Sequence, residues 1–287
     1  MTARGIELLD RAAVGVTIDA DGRVAGRAVS SATPDRQSGL ATLAASLGAG
    51  ALGLAVVNPE SPASIEIARA LALKGSAELV ASGTAAAVAE AWVGAASGEG
   101  DVVYFGVSEH AAAGVLRGGT PIAGARGTAV AWMSLNPVER EDYRKVGCLE
   151  AEVAASGIVR RLVWRIKAGD ESRVQDAVSG DLSAVTYGHV LAAARDGDGV
   201  AISVMRDTAK YLGMAAANLT IVASPSVLVL GGVMESARDL LYDPILTEIG
   251  RRLPSSLMRA LRIEPSRLGA DAAAIGAARL ASLAEPR

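Results

Sequence analysis

The feature that most constrains the fold is an apolar run that ends in two glycines. Val227 to Leu230 contains only Val and Leu, and Gly231-Gly232 follows directly. Such a run, bounded by turn residues, is typical of a strand buried on both faces of a sheet. Because glycine has no Cβ, the pair lets the backbone come close to a flat ligand such as adenine, or it only makes a tight turn from strand to helix.

The order of predicted elements indicates two α/β lobes around a cleft. Strand patterns come first, at Gly5 to Leu9, Ala12 to Asp19, Arg23 to Val29, Ala51 to Val57 and Asp101 to Val107. Helical patterns dominate later, at Glu150 to Lys167, Ser183 to Arg195, Gly199 to Val222, Ser236 to Arg252 and Asp271 to Leu283. We predict an N-terminal lobe over 1–107, a C-terminal lobe over 108–270, and a last helix, 271–287, that packs back toward the first lobe.

Composition narrows the class of protein. Hydrophobic residues make up 51% of the 287 residues and aromatic residues 3%, which predicts a large aliphatic core. The net charge is −3, and no basic tract indicates a nucleic-acid partner. One cysteine excludes an intrachain disulfide, and the uncharged stretch Leu40 to Val57 is too rich in Ala and Gly for a membrane span. We therefore expect a cytoplasmic protein without a membrane partner.

Four segments in the last third of the chain carry a resemblance. They are Ala192 to Asp198, Tyr211 to Leu219, Pro225 to Val233 and Leu268 to Ala278. Their order and spacing are similar to the C-terminal lobe of ROK proteins, a family of sugar kinases and sugar-responsive repressors. The resemblance implies the two-lobed actin-like ATPase (ribonuclease-H-like) fold of the ROK sugar kinases. It also implies a homodimer and a nucleoside lying against Gly231, Gly232 and Val233.

The two phosphate loops of the family have changed. The first, Asp-x-Gly-Gly-Thr-Lys, matches Glu7 to Ala12, so Leu9 and Asp10 replace its glycines. The second, Gly-Thr-Gly-Ile-Gly, matches Val107 to Ala111, which places Glu109 beside the phosphates. A phosphate loop needs exposed N–H groups and space for the phosphate. A leucine side chain fills that space, and a carboxylate repels the phosphate by its charge.

The residues implied for the sugar and for zinc have changed as well. Ser82 stands at the position of the catalytic Asp, and a serine hydroxyl cannot usefully accept the proton of a sugar hydroxyl. The sugar-binding Glu-x-Gly-His falls at Ala131 to Ser134, where Trp132 and Ser134 are the candidate ligand contacts. Glu150, in Gly-Cys-Leu-Glu, still matches a sugar-contacting position, although a carboxylate there also suits a helix start. The family's one His and three Cys zinc ligands are reduced to Cys148, so we predict no zinc.

Several functions stay open. The first is a pseudokinase that binds a sugar-like ligand, a nucleotide or a partner without transferring phosphate. The second is an ATP- and Mg²⁺-dependent sugar or polyol kinase in which Glu7, Asp10 or Glu109 replaces the lost base or holds the metal. A third is a different reaction in a rebuilt cleft. A repressor is not expected, because the first strand begins at Gly5 and leaves no room for a helix-turn-helix region.

Overall fold

The computed structural model describes residues 2–31, 36–71, 79–122, 129–135 and 148–284. Its first sheet has the strand order β3-β2-β1-β4-β5. The central strand β1 pairs antiparallel with β2 and parallel with β4. The bounds of the five strands are β1 Ala3–Leu8, β2 Ala12–Ile18, β3 Val24–Ser31, β4 Ala51–Val56 and β5 Leu79–Ala81.

The second sheet has the order β10-β9-β6-β7-β8. β9 lies between β6 and β10 and is parallel to both, so the apolar run before the glycines is a central strand, as predicted. Every residue of this run is at most 1% exposed. The bounds are β6 Val102–Val107, β7 Ala111–Arg117, β8 Thr120–Pro121, β9 Val227–Gly232 and β10 Arg262–Pro265.

Twelve α-helices are assigned within the described ranges, and most of them come after β8 in the chain. Their bounds are α1 Arg36–Ser46, α2 Pro62–Ala70, α3 Ser82–Trp92, α4 Leu149–Val153, α5 Ala155–Lys167, α6 Val174–Ala177, α7 Tyr187–Arg195, α8 Gly199–Ala223, α9 Val233–Ser236, α10 Arg238–Gly250, α11 Ser255–Ala260 and α12 Ala272–Ala284.

The last helix, α12, lies across β1 and β4 of the first sheet and against α3. Missing side chains allow this close approach. A Cβ at Gly5 would stand 1.9 Å from the carbonyl oxygen of Ala274, and one at Gly276 would stand 1.8 Å from that of Ala85. The helix α12 therefore packs against the first sheet and α3 through small residues. This packing holds α3 next to the end of β1. The lobe boundaries, 1–107 and 108–270, remain predictions. The strand β6 falls within 1–107 in the chain and pairs with β9 of the second sheet.

Two long predicted helices are divided in the structure. The helix predicted from Glu150 to Lys167 is interrupted at Ala154, whose ψ of 156° is extended. A sharp turn at this point brings Gly157 against the Ala151 carbonyl, where a Cβ would be 2.3 Å away. The helix predicted from Ser183 begins only at Tyr187, because the Thr186 hydroxyl accepts the His189 N–H and caps it.

The fold therefore has two mixed sheets, each with its helices, around a cleft, which is the arrangement that the resemblance to an actin-like ATPase fold implies. None of the helices in the described ranges is long and apolar enough to cross a membrane. Gly147, the first residue of the Gly-Cys-Leu-Glu motif, lies outside the described residues.

Candidate functional site

A cavity of about 360 Å³ lies where the two sheets meet. Its wall takes Glu7 from β1, Tyr104 from β6 and Tyr187 from α7. The remaining described lining residues are Leu9, Ser108, Glu109, Ala155, Gly232, Glu235, Ser236, Gly269, Ala270 and Ala273. This described lining holds three glutamates and neither lysine nor arginine.

Two hairpin turns face each other beside the cavity. The β1–β2 turn is closed by the Leu9 N–H, which donates to the Ala12 carbonyl, and the β6–β7 turn by the Ser108 N–H, which donates to the His110 carbonyl. These are the two stretches aligned with phosphate loops. The Asp10 N–H donates to the Glu109 Oε2 at 2.8 Å, so one turn places a carboxylate on a backbone amide of the other.

His110 makes a second link between the turns. Its Nε2 lies 3.0 Å from Asp10 Oδ2, and its Nδ1 lies 3.4 Å from Glu150 Oε2. The same Glu150 oxygen accepts the Ala111 N–H at 3.0 Å. The hydrogen bond with Glu150 and the charges of Glu150 and Asp10 outweigh burial and raise the pKa of His110 to about 8. A protonated imidazole at neutral pH thus lies between two carboxylates.

Glu7 and Ser82 are brought together at the base of the cavity. Burial is the main cause that raises the pKa of Glu7 to about 7, and the nearby charges of Asp271, Glu235 and Glu109 add to it. The nearby Ser82 hydroxyl acts in the opposite direction, although its Oγ is buried without a hydrogen bond of standard geometry to any described residue. Ser82, at the first position of α3, is 7% exposed. The Glu7 carboxyl, which is half protonated near neutral pH, thus lies next to Ser82, the residue aligned with the family's catalytic Asp.

A third carboxylate closes the far side of the cavity. Glu235 Oε1 accepts the Gly232 N–H at 3.0 Å. Partial desolvation first, and then the negative charge of Glu90, raise the pKa of Glu235. Glu90 itself is fully buried and accepts hydrogen bonds from the Ser266 hydroxyl and from the N–H groups of Arg267 and Leu268. It therefore orders the segment that leads into the cavity wall at Gly269.

The two glycines after β9 have a packing reason that is internal to the protein. A Cβ at Gly231 would stand 2.3 Å from the Tyr104 hydroxyl, and one at Gly232 would stand 1.9 Å from the Val107 carbonyl oxygen. Gly232 also has a φ of +74°, which favours glycine. It lines the cavity, and Val233 begins α9 directly after it. The structure thus gives both the tight turn and the approach to the cleft.

The remaining predicted positions lie elsewhere. Trp132 is 59% exposed at the end of a short 3-10 helix, and Ser134 is an exposed residue that forms a bridge with Cys148. Neither belongs to the described cavity lining, and nor does Glu150. Cys148 is a buried free thiol. Within the described ranges, no group of three or more His, Cys, Asp or Glu residues is placed to hold a metal ion.

Four cavity or cleft residues were missed from the sequence: Tyr104, His110 in its bridging role, Tyr187 and Glu235. His110 is 100 residues from Asp10 in the chain, so no local spacing indicates the pair. Tyr104 sits in a strand that reads only as apolar, and Glu235 follows the glycine turn within three residues. The position of Glu235 after the turn was the one available signal.

The chain belongs to the ROK family, whose model matches residues 64–284. It is 30% identical over 196 residues to a glucokinase of Halalkalibacterium halodurans, a match that covers 67% of this chain and 59% of that protein. The resemblance to ROK proteins drawn from the four C-terminal segments is thereby confirmed.

Solved structures give the same fold. A ROK family glucokinase from Streptomyces griseus, in complex with glucose and AMPPNP, superposes with a TM-score of 0.81 at 21% identity, covering 98% of this chain and 99% of that chain. A ROK family transcriptional regulator, a homologue of the E. coli MLC protein, gives 0.78 at 21% identity, covering 98% and 77%. At these identities the likeness establishes the fold alone.

Proposed function

We propose that this chain is a ROK protein that binds a small ligand in its cleft and does not transfer phosphate from ATP. The observation that carries the proposal is the hydrogen bond from the Asp10 N–H to Glu109 Oε2 at 2.8 Å. A backbone amide in the turn aligned with the first phosphate loop is occupied by a carboxylate from the turn aligned with the second. A phosphate oxygen would have to displace that carboxylate.

The charge of the cavity supports the same proposal. Its described lining has Glu7, Glu109 and Glu235 but no lysine or arginine to balance a triphosphate. Phosphoryl transfer depends on positive groups and metal ions that neutralise the phosphates and position them. Ser82 beside Glu7 supplies no strong base, and general-base assistance is typically worth about 10²–10⁴ in rate.

The kinase alternative assigns Glu7, Asp10 or Glu109 to a metal or to the lost base. Two of these carboxylates already have partners within the protein. Asp10 pairs with His110, and Glu109 accepts the Asp10 N–H. Glu7 is buried, and its pKa is raised to about 7, so it is only partly ionised at neutral pH. These contacts favour a cleft organised around its own carboxylates over one that waits for a magnesium–nucleotide complex.

Nucleotide binding tests the proposal before any catalysis is assayed. Calorimetry with ATP and Mg²⁺ should give no binding in the micromolar range for the natural sequence. The variant Leu9→Gly/Asp10→Gly/Glu109→Gly removes a side chain and two charges from the turns, and its ATP affinity should rise by about tenfold or more.

A matched control carries the same loss of charge at the surface. Asp21→Asn/Glu66→Gln changes two exposed carboxylates outside the cavity and should leave ATP binding unchanged. A micromolar Kd for ATP in the natural sequence, with no gain in the glycine variant, would contradict the proposal.

A further inference from the structure

We infer that the cleft is a binding site for a small organic cation, a ligand that carries a protonated amine or a guanidinium group. The inference rests on the proposed function, since it names the class of ligand for the same cavity. Its basis is the combination of three cavity glutamates with the largely buried side chain of a tyrosine in the cavity wall, whose hydroxyl makes no hydrogen bond within the described residues.

The unpartnered group is Tyr104. It is 8% exposed and forms part of the cavity wall. In the part of the chain that the structure describes, its hydroxyl makes no hydrogen bond. A hydroxyl that faces such a cavity is normally hydrogen-bonded to protein, to water or to a ligand. The Tyr104 hydroxyl is therefore a ready acceptor for an N–H of a molecule in the cavity.

The charge around Tyr104 determines the sign of that molecule. Burial first, and then the negative charges of Glu235, Glu7 and Glu90, raise the pKa of the phenol, so the hydroxyl stays neutral. Glu7 faces Ser82 from α3, Asp271 before α12, Glu235 from α9 and Glu109 from the β6–β7 turn. The three carboxylates whose charges act on Glu7 are negative, although Asp271 is also paired with Arg27 at 2.8 Å, and a positive ligand would relieve their mutual repulsion.

The size and lining of the cavity favour an organic cation over a metal ion. A volume of about 360 Å³ suits a small molecule rather than a single ion. The aromatic rings of Tyr104 and Tyr187 both line it, and tyrosine rings attract ammonium and guanidinium groups placed over their faces. By contrast, no metal-binding cluster of three or more ligands occurs among the residues the structure describes.

Three probes of four carbon atoms each, with positive, neutral or negative end groups, test the inference. In calorimetry at pH 8, the full chain should bind 1,4-diaminobutane, which is doubly positive. Its affinity for the diamine should be at least about tenfold higher than for neutral 1,4-butanediol. Butanedioate, which is doubly negative, should not bind. Equal affinity for the three probes, or tighter binding of butanedioate, would overturn the inference.

Variants locate the binding. Glu7→Gln and Glu235→Gln should each weaken diamine binding by about tenfold or more, since each removes a charge from the cavity. Tyr104→Phe keeps the ring and removes the hydroxyl, and it should weaken binding by a smaller factor of roughly threefold to tenfold. The control Glu66→Gln removes an exposed charge on α2 and should have no effect. If Glu66→Gln weakens binding as much as Glu7→Gln, the attraction comes from net charge, and the site is not in the cleft.

Proton release gives a readout independent of any one variant's stability. Because the pKa of Glu7 is about 7, a bound cation should expel its proton, about half a proton per chain at pH 7. Binding heats in phosphate and MOPS buffers should differ accordingly, and Glu7→Gln should abolish that difference. Diamine binding without proton release would overturn the role of Glu7.

The proposed function and the cation site can fail separately. Diamine binding together with ATP-dependent sugar phosphorylation would contradict the proposed function and leave the cation site standing. No diamine binding and no phosphorylation would overturn the cation site alone.

Discussion

His110 Nε2 lies 3.0 Å from Asp10 Oδ2 and so joins the β6–β7 turn of the second sheet to the β1–β2 turn of the first. Glu109 reinforces the link through its hydrogen bond with the Asp10 N–H. One side of the cleft is therefore held together by side chains at the positions where the family's phosphate loops align.

The first prediction concerns His110→Gln. Since folding raises the pKa of His110 from its ordinary 6.5 to about 8, the protonated imidazole stabilises the fold fully below pH 6.5, and this contribution is lost as pH rises through 8. Urea unfolding should therefore show the variant less stable than the natural sequence by about 1 kcal/mol at pH 6, with the two converging near pH 9.

A double-mutant cycle with Asp10→Asn separates the pair from other effects of the substitution. Its coupling energy should be larger at pH 6 than at pH 9. A coupling that does not depend on pH would mean that the charge on His110 does not hold the two turns together.

The second prediction concerns Glu7→Gln, and its sign is opposite. Because the pKa of Glu7 is raised from 4.5 to about 7, the folded state loses stability as pH rises from 4.5 through 7. Glutamine cannot ionise, so the variant should be more stable than the natural sequence at pH 8 by on the order of 2–3 kcal/mol. Thermal unfolding at pH 5 and pH 8 measures this, and a variant that is destabilised at pH 8 would refute the assignment.

The third prediction concerns Glu90, which holds the segment before α12 through several N–H and O–H donors. Glu90→Ala leaves these buried donors without an acceptor and should lower the free energy of unfolding by about 3 kcal/mol or more. Glu90→Gln keeps one acceptor oxygen and should cost less. The exposed control Glu66→Ala should stay within about 0.5 kcal/mol of the natural sequence in the same denaturant titration.

The fold was predictable from the sequence where local pattern and burial agree. The run from Val227 to Leu230 is a central strand because it is aliphatic throughout, and the helix predicted from Gly199 to Val222 matches α8. The break at Ala154 was not predictable, since alanine is a strong helix former and the turn is imposed by packing at Gly157. Tertiary contacts outweighed propensity at that point.

The site was predictable only in part. Glu7, Asp10 and Glu109 could be named because the family pattern marks their positions, and all three lie at or beside the cavity. The link from Asp10 through His110 to Glu150 joins residues 100 and 40 positions apart, which periodicity cannot reveal. Likewise, Tyr104 becomes a candidate ligand contact only once its hydroxyl is seen against Gly231 without a hydrogen-bond partner.

The most direct test of the central claim is a coupled phosphorylation assay with ATP, Mg²⁺ and a broad panel of sugars and polyols. We predict no turnover above background for the natural sequence. Ser82→Asp alone should not restore activity, because Glu109 still occupies the Asp10 amide and the cavity still lacks a positive group in its described lining. Turnover of about 1 per second or more, the range of ordinary kinases, would contradict the account, and its loss in Asp10→Asn or Glu109→Gln would identify the replacement residue.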